Sequence, residues 1–178
     1  MSESFKFVQQ LDESDVSTVH RALRANSGEI VVVKRTKGRP SPRQTARFHR
    51  AYSLSRELQI SGIVRSLALD EDDAGLALVM EDFGGHALSS ILGLGRPTLV
   101  EALRIAIELC GILNDLHGRG VIHKGLSPHH ILVNQETGQV KLIGLGGAAN
   151  SAHQAVEPAA ADLRRGAAAY LSPEQTGR

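Results

Sequence analysis

The sequence predicts an α+β fold in two parts: a five-stranded antiparallel sheet carrying one helix, then a partial, mainly helical second part. Three observations carry this. Short apolar runs punctuated by turn residues fill the early chain, the pair Gly84-Gly85 breaks that pattern, and the strongest helix signal, Thr98 followed three residues later by Glu101, comes after the break.

Phe5 to Val8, Thr18 to Leu23 and Ile30 to Lys34 read as strands, because β-branched and aromatic residues concentrate there and Asn26-Ser27-Gly28 supplies a turn between the last two. Ser41-Pro42 then opens a helix running to Leu58, since serine caps free amide groups and proline is tolerated in a first turn. Phe48, Tyr52 and Leu54 or Leu58 recur along it at helical spacing. Val64 to Leu69 and Leu76 to Glu81 flank the acidic, glycine-ended turn Asp70-Glu71-Asp72-Asp73-Ala74-Gly75, which predicts a second hairpin. Phe83-Gly84-Gly85 is read as a hinge, giving a first unit over 1–82 and a second over 83–178.

Beyond the hinge, Thr98 and Glu101 form a capping box. Leu99, Leu103, Ala106, Cys110, Leu113 and Leu116 then predict the buried face of a helix ending near Gly118. Ile131 to Val133 and Val140 to Ile143 flank Glu136-Thr137-Gly138 and predict a small hairpin. After Gly144 the chain turns Ala- and Gly-rich and loop-like, and it contains no internal repeat.

At 178 residues and 42% apolar content, the chain is long enough for one globular domain with a real core. Its 20 Lys plus Arg nearly cancel 19 Asp plus Glu, so no global charge recruits nucleic acid or an anionic membrane. The single cysteine, Cys110, has no internal disulfide partner. It lies in an apolar helical run and is expected as a packed thiol in a reducing compartment. No apolar run is long enough to span a bilayer, and Met1-Ser2-Glu3-Ser4-Phe5-Lys6 lacks the form of a signal peptide. The expectation is a cytoplasmic protein without membrane insertion or a nucleic-acid partner.

The chemistry-bearing stretch is His123-Lys124-Gly125-Leu126-Ser127-Pro128-His129-His130-Ile131-Leu132-Val133-Asn134. Before it come a strand ending in Val31-Val32-Val33-Lys34, a helix, a strand ending in Met80-Glu81, a Gly-Gly break and a long helix; a short hairpin closes it. This order resembles the protein-kinase family, and Tyr170-Leu171-Ser172-Pro173-Glu174 is similar to the Ala-Pro-Glu element that closes a kinase activation segment. Leu78-Val79-Met80-Glu81-Asp82-Phe83-Gly84-Gly85 and Ser172-Pro173-Glu174-Gln175-Thr176-Gly177-Arg178 resemble the kinase modules that begin large bacterial sensor proteins with ATPase and histidine-kinase parts. The resemblance implies a two-lobe kinase-like fold whose second lobe is only part built by Arg178. Apolar surface on the helix from Thr98 is then expected to lie exposed unless another chain covers it.

The same resemblance implies a damaged active site. The kinase loop reads His-Arg-Asp-Leu-x-x-x-Asn, with the Asp accepting the substrate hydroxyl proton and the Asn holding magnesium. Gly125 stands at the Asp position and His130 at the Asn position; Ser127 replaces a lysine common in serine/threonine kinases. Glycine has no group to take a proton, and imidazole is a poor substitute for the hard oxygen ligands of magnesium. The metal-binding Asp-Phe-Gly falls on Gly144-Leu145-Gly146, so that carboxylate is missing too. Lys34 matches the phosphate-pairing strand lysine, yet its helical acidic partner falls on Ala51, and Glu57 lies too far along to substitute. The phosphate-covering loop falls on Leu11-Asp12-Glu13-Ser14-Asp15-Val16-Ser17, which has no glycine and three carboxylates, and reads as a solvated acidic hairpin. Nucleotide-facing positions, if any nucleotide binds, are Lys34, Val19, Val32, Met80, Glu81, Phe83 and Leu132, with Val32 standing where many kinases have alanine.

Other signals are weaker. Gly144-Leu145-Gly146-Gly147-Ala148-Ala149 matches a dinucleotide fingerprint, but the following helix, second parallel strand and acidic ribose ligand are not indicated. Of eight histidines, His117, His123, His129 and His130 cluster in sequence without an acidic or thiol partner, so no metal site is expected; His123 is implied to pack. Arg43, Arg47 and Arg50 recur at helical spacing as a solvated face or a docking stripe for an acidic or phosphorylated partner.

The expected function is a pseudokinase-like module that binds or regulates other domains of the same or a partner signalling protein, with no cofactor. The alternatives are an active serine/threonine kinase using ATP and magnesium with unconventional residues, and a module that senses nucleotide without turnover.

Overall fold

In the computed structural model, which describes residues 4–72, 75–150 and 167–170, five strands form one antiparallel sheet in the order β1-β2-β3-β5-β4. They are β1 (Phe5–Glu13), β2 (Ser17–Arg24), β3 (Ile30–Thr36), β4 (Ser66–Asp72) and β5 (Gly75–Glu81). Residues directly opposed in antiparallel strands share a face. The register Ala22↔Val31, Val31↔Glu81 and Val33↔Val79 therefore collects Ala22, Val31, Val33, Ala77 and Val79 into one buried cluster, joined by Phe5, Leu67 and Ala68. Each fully buried valine there contributes about 1.5–3 kcal/mol.

β1 runs five residues past the Val8 end expected from its pattern. Bulges between Phe7 and Gln9 and between Gln10 and Asp12 break the two-residue period, so apolar alternation fades while pairing with β2 continues. The acidic hairpin that follows is closed by serines: Ser14 N–H donates to Ser17 O at 2.8 Å and Ser17 N–H to Ser14 Oγ at 3.1 Å, while Lys37 pairs with Glu13.

The helix α1 (Pro42–Leu58) begins with a full capping box, Gln44 N–H donating to Ser41 Oγ at 3.3 Å and Ser41 N–H to Gln44 Oε1 at 2.7 Å. It packs on β4 and β5 and buries Ser55 and Leu58; Ser66 N–H donates to Ser55 Oγ at 3.2 Å. At Gly75 the backbone takes φ +123°, and a Cβ there would lie 2.1 Å from Thr36 Oγ1 and 2.6 Å from the Gly38 carbonyl oxygen, so only glycine fits.

These elements form the first of two compact units, Met1–Gly84; the second is Gly85–Arg178. Its described elements are β6 (His86–Ala87), α2 (Leu88–Leu94), α3 (Leu99–Gly118), β7 (Val121–Ile122), β8 (Ile131–Val133), β9 (Val140–Leu142) and β10 (Ala149–Asn150). β6, β8 and β9 form one small sheet, and β7 pairs with β10. The short helix α2 has no counterpart in the sequence reading, because Gly93 within it, Gly95 just after it and the lack of a side-chain cap hide it.

α3 starts at the expected capping box but buries a different stripe. Ile112 and Leu116 are buried and Leu113 is half-buried, whereas Leu99, Leu103, Ala106 and Cys110 are exposed. The helix is apolar nearly all round, so periodicity alone does not select the side that meets β7 and β9. With Val100 at 73% and Ile107 at 71% exposure, the outer side forms an apolar strip, and the Cys110 thiol is exposed rather than packed.

Candidate functional site

In the first unit, β-sheet register brings four of the nucleotide-facing candidates, Val19, Val32, Lys34 and Met80, onto one face, while Glu81, opposite Val31, falls on the other. Lys34 on β3 lies opposite Val19 on β2 and Leu78 on β5, and Val32 lies opposite Arg21 and Met80. The Lys34 ammonium sits 5.7 Å from the centre of the Phe48 ring on α1, a cation–π distance. Ala51, three residues further along α1, supplies no carboxylate. Glu57, near the end of α1, is exposed.

The end of β5 is held by contacts that sequence reasoning did not single out. Arg21 Nε and Nη2 both donate to the Asp82 carboxylate, the second at 3.3 Å, and Arg21 Nη1 donates to Gln9 Oε1 at 3.0 Å. Asp82 also accepts Gly84 N–H at 2.9 Å, while Glu81 exchanges two 3.0 Å bonds with the Arg65 backbone. The Glu81 and Phe83 positions are thereby set on both sides. The missed signal was parity: Arg21 is two residues from Val19 and so shares the Lys34-bearing face of the sheet, opposite the Ala22 and Val31 cluster.

In the second unit, the stretch from His123 to His130 is pinned by its own histidines. His123 is buried, its Nε2–H donates to the Ile143 carbonyl at 2.8 Å, and its Nδ1 accepts Gly125 N–H at 3.3 Å. Both bonds require the neutral ring with the proton on Nε2. Burial pushes the His123 pKa down, and the Ile143 carbonyl only partly offsets this. The His130 Nδ1 lies 2.5 Å from the Gly125 carbonyl oxygen, which fixes Nδ1 as the donor, with Ser127 Oγ a longer 3.4 Å neighbour. Ile143 N–H donates back to the His130 carbonyl at 3.0 Å. His129 is exposed, its Nδ1 3.0 Å from Ser89 Oγ.

Beyond β9, Gly144 takes φ +90° and Leu145 is buried beneath a short turn, Leu145–Gly147, that leads directly into β10. No helix opens there, so the dinucleotide fingerprint has no structural basis. Leu132 is half-buried on β8, opposite Ala87 and Lys141. Tyr170 ends a short turn, Ala167–Tyr170; Leu171–Glu174, the rest of the chain to Arg178 and the run through Pro158 lie outside the described residues.

The residues at the three catalytic positions do not fit a magnesium ion. Gly125 and Gly144 bring no oxygen ligand from a side chain, and His130 turns Nδ1 to a carbonyl. The space beside Gly144 is also taken: a Cβ built there would lie 2.6 Å from His130 Cδ2 and 2.9 Å from its Nε2. Among the described residues no group of three or more His, Cys, Asp or Glu side chains is placed to hold a metal ion.

The model of the protein kinase domain family matches residues 5–178. The serine/threonine-protein kinase pak-2 of Caenorhabditis elegans is 32% identical over 138 residues, covering 78% of this chain and 26% of that protein. The probable serine/threonine-protein kinase PknB of Corynebacterium glutamicum is 30% identical over 184 residues, covering 98% of this chain and 28% of its own. Serine/threonine-protein kinase pkn3 of Myxococcus xanthus is 29% identical over 174 residues, 93% of this chain and 32% of its own. The chain therefore spans about a quarter to a third of the length of the curated relatives it matches. With its five-stranded antiparallel sheet, its α1 helix and its His123-centred loop, the chain belongs to the protein kinase domain family.

Proposed function

We propose that the chain is a kinase-fold module that works by binding or regulating other domains of the same or a partner signalling protein, with phosphoryl transfer lost. The observation that carries this reading is the imidazole of His130, bonded to the Gly125 carbonyl and filling the space beside Gly144. Phosphoryl transfer depends on positioning and charge neutralisation, and both magnesium ligands and the proton acceptor are replaced together. The reading includes a cytoplasmic setting; none of the described helices is long and apolar enough to cross a membrane. It also includes a place in a larger bacterial sensor-type protein, which the two segments around Met80 and Pro173 support by resemblance.

A second reading, an active serine/threonine kinase using ATP and magnesium, is favoured by the names of the relatives. A third is an ATP-binding module without turnover. Transfer of radiolabelled phosphate from ATP, with Lys34→Ala as control, separates the first two. No Lys34-dependent incorporation is expected, and such incorporation would overturn the inactive reading. A rise in thermal midpoint on adding ATP without transfer would favour the third, because a ligand that binds only the folded state raises its stability.

A further inference from the structure

We infer that His130 and Gly144 are a single interlocked replacement: the imidazole is a built-in staple that takes the place of a side chain at position 144 and closes the loop onto the end of β9. The inference deepens the non-catalytic reading and rests on it for the claim that this place serves shape alone.

Four backbone and side-chain links form a closed circuit. His123 donates from Nε2 to the Ile143 carbonyl at 2.8 Å, and Ile143 N–H donates to the His130 carbonyl at 3.0 Å. His130 Nδ1–H donates to the Gly125 carbonyl at 2.5 Å, and Gly125 N–H returns to His123 Nδ1 at 3.3 Å. The two histidine rings stand 5.7 Å apart and tilted by 49°. Gly125 and Ile143 are thus each gripped through both their N–H and their C=O, one by the two rings and the other by a ring and a backbone carbonyl. Each link is ordinary alone, but a closed circuit loses more than one bond when any member leaves.

The circuit needs an unencumbered residue at 144. The ring of His130 lies so close that a Cβ would approach three of its atoms at 2.6, 2.9 and 3.0 Å, tighter than real Cβ contacts. A neighbouring loop position behaves differently: a Cβ on Gly125 would have its nearest neighbours at 4.0 Å, ordinary van der Waals distance. The missing side chains are therefore not equivalent. Position 125 is open to a side chain, whereas position 144 is closed by a specific partner, so a change at 144 costs less when His130 changes with it.

A double-mutant cycle on the 178-residue chain tests this, with urea unfolding of the wild type, Gly144→Ala, His130→Ala and the double variant. The positive φ at Gly144 penalises alanine in both backgrounds and cancels in the cycle, which leaves the steric coupling. Gly144→Ala is expected to lower the folding equilibrium constant about tenfold less in the His130→Ala background than in the wild type. Equal losses in both backgrounds would overturn the proposal. If His130→Ala does not fold, His130→Asn takes its place. Hydrogen exchange then reads the circuit itself: the Gly125 and Ile143 amides should exchange faster in His130→Asn, and unchanged protection at both would refute it. Failure here is separable from failure of the functional reading. Lys34-dependent phosphate transfer with the coupling intact sinks only the inactive reading, and absent coupling without transfer sinks only the staple.

Discussion

The ion pair between Arg21 and Asp82 is predicted to hold the end of β5 more firmly than its single-residue chemistry suggests. Asp82 keeps 8% of its side-chain exposure and Arg21 21%, and the carboxylate accepts two guanidinium nitrogens and the Gly84 amide. Truncation to Asp82→Ala strands a four-fifths-buried guanidinium, and breaking one side of a buried pair costs about 3–5 kcal/mol. Because Arg21 keeps some contact with water, the low end applies, about 3 kcal/mol. Replacing both partners with apolar side chains, Arg21→Met with Asp82→Leu, removes the stranded charge and leaves the Gly84 amide and the exposed Gln9 amide oxygen to find water, so its cost should stay at about 1 kcal/mol. The assay is urea denaturation followed by far-UV circular dichroism, with hydrogen exchange at β2 and β5 amides to assign the loss to this sheet. If Arg21→Met and Asp82→Leu made singly sum to their double within about 0.5 kcal/mol, the pair is an ordinary surface contact and the prediction fails.

Two further outcomes follow from local geometry. Burial holds the His123 pKa below its ordinary 6.5, with the Ile143 carbonyl opposing, so below pH 6.5 the unfolded chain binds the proton more readily than the folded one. Its contribution is thus complete above that pH and is lost as pH falls through the depressed folded value. Thermal midpoints measured from about pH 8 down to about pH 5 should fall less steeply for His123→Phe than for the wild type, and parallel curves would refute this. At Gly75, alanine meets Thr36 Oγ1 and a backbone oxygen as well as the φ +123° penalty, whereas Gly28 at φ +69° has open space around it. Gly75→Ala should therefore cost about 3 kcal/mol and Gly28→Ala about 1 kcal/mol in chemical denaturation.

The sheet was legible in the sequence because its strands are bounded by turn residues and the middle of its core face is apolar, as Val31, Val33 and Val79 illustrate. The face of α3 was not, because Leu99, Val100, Leu103, Ile105, Ile107, Leu109 and Ile112 surround the helix and only tertiary contact with β7 and β9 breaks the tie. Family motifs located Gly125, His130 and Gly144 as three separate departures. Nothing in a linear reading says that His130 touches Gly144, since they lie fourteen residues apart and meet through the β8–β9 hairpin. Arg21 was passed over for the same reason, its partner Asp82 being sixty-one residues away.

That juxtaposition bears on the proposed loss of phosphoryl transfer. A catalytic residue that merely drifts away leaves its surroundings adapted to the old side chain, and the result is a void or an unsatisfied group that weakens the fold. Here the departures come with new packing. The strand lysine Lys34 lies over Phe48, the ring of His130 fills the space beside Gly144, and Gly125 uses both of its backbone groups on histidines. On the proposed non-catalytic reading such filling would hold the loop in shape without a ligand, and an aspartate at 144 would first have to displace an imidazole already bonded to the backbone. A kinase-shaped module selected for its surface would be expected to keep its loop in one conformation by such means, and the coupling between residues 130 and 144 is where that expectation meets measurement.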